Sequence, residues 1–186
     1  MGPGADGDLA RGANLLGAVS LAVSDRIGAA AERGAALGGS APAALISLAG
    51  YLDGSPIEAV RSPLRLTHSA TVRLVDRLVA AGLARRREGS DRRSVAVELT
   101  PAGHAAAVEA VKARGRALEE ALADLDPGER AELARLHAKV LRTLTDGRAT
   151  AGNICRLCDS HACGHEEGHC PVTQAADVAE GRVARA

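Results

Sequence analysis

Two groups of residues in this 186-residue chain have the types and spacing for chemistry. All four cysteines, Cys155, Cys158, Cys163 and Cys170, fall in NICRLCDSHACGHEEGHCPV with the spacing C-x2-C-x4-C-x6-C, and His161, His165 and His169 lie among them. Four thiolates on so short a segment can close around one tetrahedral ion, and a first pair two residues apart suits chelation of zinc. The Cys170-Pro171 step also matches cysteine-proline endings of iron–sulfur loops, so an iron–sulfur cluster is the alternative cofactor. A thiol redox sensor that oxidises to a disulfide is a third chemistry, and a disordered tail with incidental cysteines is the bland one. In a reducing compartment such clustering speaks against a disulfide framework.

The second group is cationic. Between Arg61 and Arg93 nine arginines stand against Asp76, Glu88 and Asp91, a net +6 in a chain whose formal net charge is zero. Charge concentrated in this way fits a phosphate backbone. Inside the segment Thr67 suits the N-cap of a helix with Ala70, Leu74, Leu78 and Val79 as its buried stripe, His68, Ser69, Arg73 and Arg77 facing outward, and Gly82 ending it. A helix about 11 Å across fits a major groove about 12 Å wide, with its N-terminal residues toward the base edges. Arginine can donate two hydrogen bonds to guanine O6 and N7, which makes Arg73 the first choice for base readout, while Ser69 or His68 can bond an edge or a phosphate. Ala84 to Glu88 and the alternating Ser94 to Thr100 are strands of a hairpin turned at Gly89, Ser90 and Asp91. From that wing Arg92 or Arg93 reaches a minor groove, and Asp91 braces an arginine rather than approaching DNA. The competing reading of each arginine is a solvated face, and Arg77 has Asp76 and Glu88 as candidate ion partners.

The elements that must position these groups are mostly helical. Hydrophobic residues make up 46% of the chain, with one Tyr and no Phe or Trp, so the core is built from Ala, Leu, Val and Ile. Without aromatic platforms the single-strand-binding classes are disfavoured and duplex DNA remains. Apolar spacing marks helices over Ala13–Ala31 and Ala41–Tyr51. Ser55, Pro56 and Glu58 have the form of a capping box for a short third helix ending near Ser62 and Pro63. Thr100 caps a long helix from Pro101 to about Leu125, and Asp126, Pro127 and Glu129 open another carrying Leu133, Leu136, Val140, Leu141 and Leu144. These long apolar faces need a cover, supplied by the first helix and a second copy in a two-fold dimer. The alternative is that they fold back over their own domain.

The expected organisation is a flexible terminus over 1–12, a dimerisation helix over 13–37, a winged helix-turn-helix over 38–100, C-terminal dimerisation helices over 101–148, a cysteine-rich metal-binding segment over 149–172 and a flexible tail over 173–186. The fold class is mainly α with a small β-hairpin wing. No run of about 18 apolar residues marks a membrane span, and the first residues lack the basic start of a secretory signal, so a cytoplasmic location is expected. A Gly-rich phosphate loop after a strand is missing, and no enzyme is expected.

Four short motifs add a resemblance: RLVDRL (Arg73–Leu78), AGLARR (Ala81–Arg86), DRR (Asp91–Arg93) and LTPAG (Leu99–Gly103). In this order and spacing the stretch from Gly38 to Leu144 resembles the MarR family of bacterial winged-helix regulators. The resemblance implies a homodimer whose first, fifth and sixth helices interlock, whose fourth helix enters the major groove and whose wings touch the flanking minor grooves. Thr67, His68, Ser69, Ala70, Thr71 and Arg73 match the start of the family's recognition helix, and Asp91 and Arg93 its wing-tip pair. Thr71-Val72 departs from the family, which more often places the apolar residue first. Regulators of this kind lose DNA affinity when a small molecule binds between the dimer helices and the DNA-reading lobe, or when a cysteine is oxidised. Tyr51 and the apolar ends of the first two helices are the candidate lining of such a pocket. The expected function is a sequence-specific, duplex-DNA-binding transcriptional regulator on a pseudo-palindromic site, a repressor relieved by a ligand or by a redox or metal change. The alternative is a metal or iron–sulfur redox protein using the winged helix as a protein-interaction module, which has no need of an arginine-rich wing.

Overall fold

Small side chains set how closely helices approach, and the computed structural model, which describes residues 5–89 and 95–183, shows where that happens. Helix α1 (Ala5–Ala35) packs along α5 (Pro101–Ala121), burying Ala31, Ala35, Ala107 and Ala110 in the main core. A Cβ on Gly34 would stand 2.5 Å from the Glu109 carbonyl oxygen, so the crossing requires glycine. Helix α1 starts earlier than its apolar spacing suggests: residues 5–12, expected as a flexible terminus, are helical. Gly7 and Gly12 each cost about 1 kcal/mol relative to alanine, but the Ala, Leu and Arg between them favour the helix.

Helix α2 (Ala41–Ser47) is buried along its whole length and runs into a π-helical turn at Leu48–Leu52. The expected capping box at Ser55 is absent. Ser55 and Pro56 instead form strand β1 (Ser55–Pro56), which pairs antiparallel with β3 (Val95–Leu99), placing Ser55 opposite Val97 and Pro56 opposite Ala96. Proline is tolerated because this is an edge strand, where a missing N–H need not break a ladder. Helix α3 (Ile57–Leu64) follows with no side-chain cap, keeps Pro63 inside its last turn and ends on Arg65 in the left-handed region. Helix α4 (His68–Ala80) leads through Gly82 (φ +70°) to β2 (Ala84–Glu88), which pairs with β3 from Ala84–Leu99 to Glu88–Val95. The hairpin is therefore part of a three-stranded sheet of order β1-β3-β2.

The expected caps of the long helices are present. Thr100 Oγ1 accepts the Gly103 N–H (3.1 Å) and donates to the Gly82 carbonyl (2.7 Å), fastening α5 to the end of the turn after α4. Asp126 and Glu129 exchange both capping-box hydrogen bonds at 2.9 Å and open α6 (Pro127–Leu144). Two further helices follow, α7 (Arg148–Cys155) and α8 (Pro171–Ala179), so residues 173–179, expected as flexible tail, are helical. Pro171 preorganises the first turn of α8, and Val172 and Ala176 bury against Ala151 and Cys170 in a small second cluster.

The main core is filled by Leu45, Leu48, Val60, Val75, Leu78 and Val97. Helix α6 contributes nothing to it: none of its residues is buried, Leu136 is 43% and Leu144 60% exposed, and on α1 Val19 is 52% exposed. Helix α5 and the C-terminal end of α1 do pack on their own domain, whereas α6 packs on α8 and the small second cluster. Among the described residues no helix is long and apolar enough to cross a membrane.

Candidate nucleic-acid interface and cysteine-lined cavity

The N-terminus of α4 is built by a local hydrogen-bond exchange. Thr67 Oγ1 accepts the Ala70 N–H at 3.3 Å, and the Thr71 hydroxyl donates back to the Thr67 carbonyl at 3.0 Å. Because that bond satisfies its hydroxyl, Thr71 can be fully buried with its methyl in the apolar stripe Thr71-Leu74-Val75-Leu78. This corrects two expectations. The stripe does not run through Ala70, which is half-buried, or Val79, which is exposed, and Thr71 is turned away from any groove.

The stripe sets the opposite face. Ser69, Arg73 and Asp76 stand about one turn apart on it, all exposed, and among the described residues Arg73 enters no ion pair. Ser69 Oγ lies 3.3 Å from Thr67 Oγ1. His68 sits to the side with Nδ1 3.3 Å from Glu58 Oε2, and the hydrogen bond from His68, with help from the nearby Arg61 guanidinium, holds the Glu58 carboxyl below its ordinary range. Arg77 is used otherwise than expected: its guanidinium donates to the Gly38 carbonyl at 3.0 Å, bracing the corner between α1 and α2, and neither Asp76 nor Glu88 pairs with it. Asp76 takes Arg86 instead, at 2.7 Å.

At the wing, Glu98 on β3 receives Arg85 through two hydrogen bonds (2.8 and 3.2 Å) and Arg87 through a third (2.9 Å). These bonds, Arg85 first, pull the Glu98 carboxyl down to about 2. All three β2 arginines thus have acidic partners within the chain. The wing-tip candidates Asp91, Arg92 and Arg93 lie outside the described residues. A carboxyl depressed on folding stabilises the native state above its ordinary value near 4.5 and loses that contribution as pH falls toward 2. Glu98→Gln is accordingly expected to lower the Tm at pH 7, with the gap to the parent closing in thermal melts taken down from pH 4.5. An equal gap at pH 7 and at the acid end would contradict the clamp.

A cavity of about 800 Å³ lies beside the core. Ile46, Gly50 and Tyr51 line it from α2 and the π-helical turn, Ala107, Val108 and Val111 from α5, and Ala151 and Gly152 from α7. The expected Tyr51 is there, with its hydroxyl 3.3 Å from Ser47 Oγ and 3.5 Å from the Gly152 carbonyl, and burial raises its pKa. The first helix is not part of this lining; α1 borders a separate space of about 200 Å³ through Ser24, Ile27 and Ala31.

All four cysteines line the larger cavity. Cys155 ends α7, Cys170 caps α8, and Cys158 and Cys163 lie in the turns between, held by Cys158 N–H to Cys155 carbonyl (2.8 Å) and His165 N–H to Ser160 carbonyl (3.1 Å). The Asp159 carboxylate accepts the N–H groups of His161 and Ala162. A hydrogen bond with Cys158 lowers the Cys155 pKa, and the same bond together with burial raises that of Cys158. Burial, then the neighbouring thiols, pushes Cys163 up to about 12. Of the interspersed histidines, His165 pairs with Thr173 (3.0 Å) and His161 stands 3.5 Å from Glu166. Among the described residues no three His, Cys, Asp or Glu side chains already stand as a metal ligand set.

Three contacts escaped sequence reasoning: the Glu98 clamp, Asp53 Oδ1 accepting the Leu99 N–H (2.8 Å), and Asn153 Nδ2 donating to the Pro63 carbonyl (2.8 Å). Only the first had a signal, since Arg85 and Arg87 share one face of β2 opposite Glu98.

No family model and no curated protein sequence matches the chain. Solved structures do. A MarR family protein from Bacillus stearothermophilus is 23% identical with a TM-score of 0.62, the match covering 72% of this chain and 92% of that one. A probable transcriptional regulator from Pseudomonas aeruginosa is 27% identical with a TM-score of 0.53 (67% and 96% covered). CouR from Rhodococcus jostii RHA1, solved bound to p-coumaroyl-CoA, is 21% identical with a TM-score of 0.53 (68% and 88%). More than a quarter of this chain lies outside each of these matches. The capped α4, the three-stranded wing sheet and the long flanking helices together make this a MarR-like winged-helix fold.

Proposed function

We propose that the chain is a sequence-specific, duplex-DNA-binding transcriptional regulator that acts as a two-fold dimer. The observation that carries this reading is α4: its cap and buried stripe leave Ser69 and Arg73 exposed on the outward face of its N-terminal half, within the segment of net charge +6. Ser69 and Arg73 meet base edges, His68 and the helix N-terminus take phosphate, and Arg92 and Arg93 extend the contact to the minor groove. The exposed leucines of α1 and α6, with Val19, support the dimer, because a monomer would leave this apolar surface in water.

The cavity beside Tyr51 has the size of small-molecule sites and a mainly apolar lining, with Lys112 as a cation for an anionic group. Its walls join α5 to the helices that lead into α4, so an occupant that spreads them lowers DNA affinity, and the regulator works as a repressor relieved by its ligand. Selection of bound fragments from genomic DNA tests the reading. The expected product is a shared pseudo-palindrome with half-site centres about 10 base pairs apart. Fragments with no common sequence would sink it.

A further inference from the structure

The cysteine segment has no task in reading DNA, yet it supplies one wall of the larger cavity. We propose that Cys155, Cys158, Cys163 and Cys170 hold one tetrathiolate metal centre, with zinc as its ion, which fixes the turns between α7 and α8. The chain has no other cysteine, and all four reach the same cavity. They lie on one segment that runs from the last residue of α7 to the residue before α8. So short a segment can close around a single ion.

Two further observations point the same way. Residues 156–170 contain no helix or strand, and the nearby cluster buries only Ala151, Cys170, Val172 and Ala176, too little apolar surface to hold the turns by itself. Arg114 on α5 carries its charge near Cys158, and its buried Nε has no hydrogen-bond partner among the described residues. Zinc on four thiolates carries a net charge of −2, which gives that cation a counter-charge. Assembly is a ligand exchange without oxidant: Zn²⁺ displaces the four thiol protons into solvent and forms four zinc–sulfur bonds.

The anchoring explains what the centre braces. Through Asn153 and Gly152, α7 rests on Pro63 of α3, the helix before α4, while α8 packs on α6. A fixed α7–α8 unit therefore joins the dimer side to the reading head, a consequence that rests on the function proposed above.

The test uses the full chain purified anaerobically. About one zinc per chain is expected, and after chelation cobalt(II) alone should give thiolate-to-cobalt charge-transfer and tetrahedral d–d bands. Cys155→Ser with Cys158→Ser should abolish both signals, His165→Ala with His169→Ala should keep them, and chelation should speed proteolysis within 156–170. If the serine variant fails to fold by circular dichroism, cobalt titration of the parent decides. Iron with acid-labile sulfide would keep the four-thiolate centre and overturn zinc as its occupant. Protein without metal, without cobalt bands and with proteolysis unchanged by chelator would overturn the centre. None of these readouts uses DNA, so the centre and the DNA reading fail separately.

Discussion

Arg73→Ala is expected to weaken binding to the selected operator by about 1 to 3 kcal/mol and to relax discrimination at one base pair in each half-site. Arg73 stands exposed one turn beyond Ser69, and no acid of the described chain competes for its guanidinium. On the proposed interface the substitution removes a bidentate contact while the buried stripe and the Thr67 cap stay in place. The thermal stability of the variant should therefore match the parent. Arg77→Ala gives the opposite pattern: it breaks the hydrogen bond to Gly38 and lowers the Tm, with no change in base preference. Competition binding against operators altered at each position separates the two. A variant at Arg73 that keeps the parent's preference at every position would remove it from the interface.

Leu136→Asp with Val140→Asp is expected to abolish the folded dimer. The two residues are one turn apart on α6, none of whose residues is buried, with Leu136 43% exposed. In a dimer these positions are buried, and two unpaired carboxylates there cost several kcal/mol, a large share of a typical domain's stability. The product should be aggregated or unfolded protein, seen in sedimentation and circular dichroism. The parent should sediment as a dimer at micromolar concentration; a folded parent monomer would contradict the account.

Much of the reading head was legible because its signals are local. Thr67, Thr100 and Asp126 cap helices through side chains that reach only three residues on, and the outward place of Arg73 follows from helical period alone. Thr71 was misplaced because period cannot decide between two adjacent small residues when one hydroxyl can be satisfied inside its own helix. Arg77 meets a carbonyl 39 residues away, and β1 is two residues long with a proline, so neither leaves a trace in local pattern. Helix α8 was lost for a related reason: Pro171, Val172 and Ala176 matter only once α7 is there to pack against. The cysteine spacing is legible at once, whereas the buried Arg114 Nε, without a hydrogen-bond partner among the described residues, requires the fold.

The central claim is that this chain reads duplex sequence through α4 and a basic wing. Its most direct test is an anisotropy titration of the selected operator and a scrambled duplex of equal length over a series of salt concentrations. The account predicts that the operator is preferred by on the order of a thousandfold or more, with log K falling linearly against log salt, and that Arg93→Ala makes the slope shallower by about one. Equal affinity for operator and scrambled duplex, or binding indifferent to salt, would contradict it.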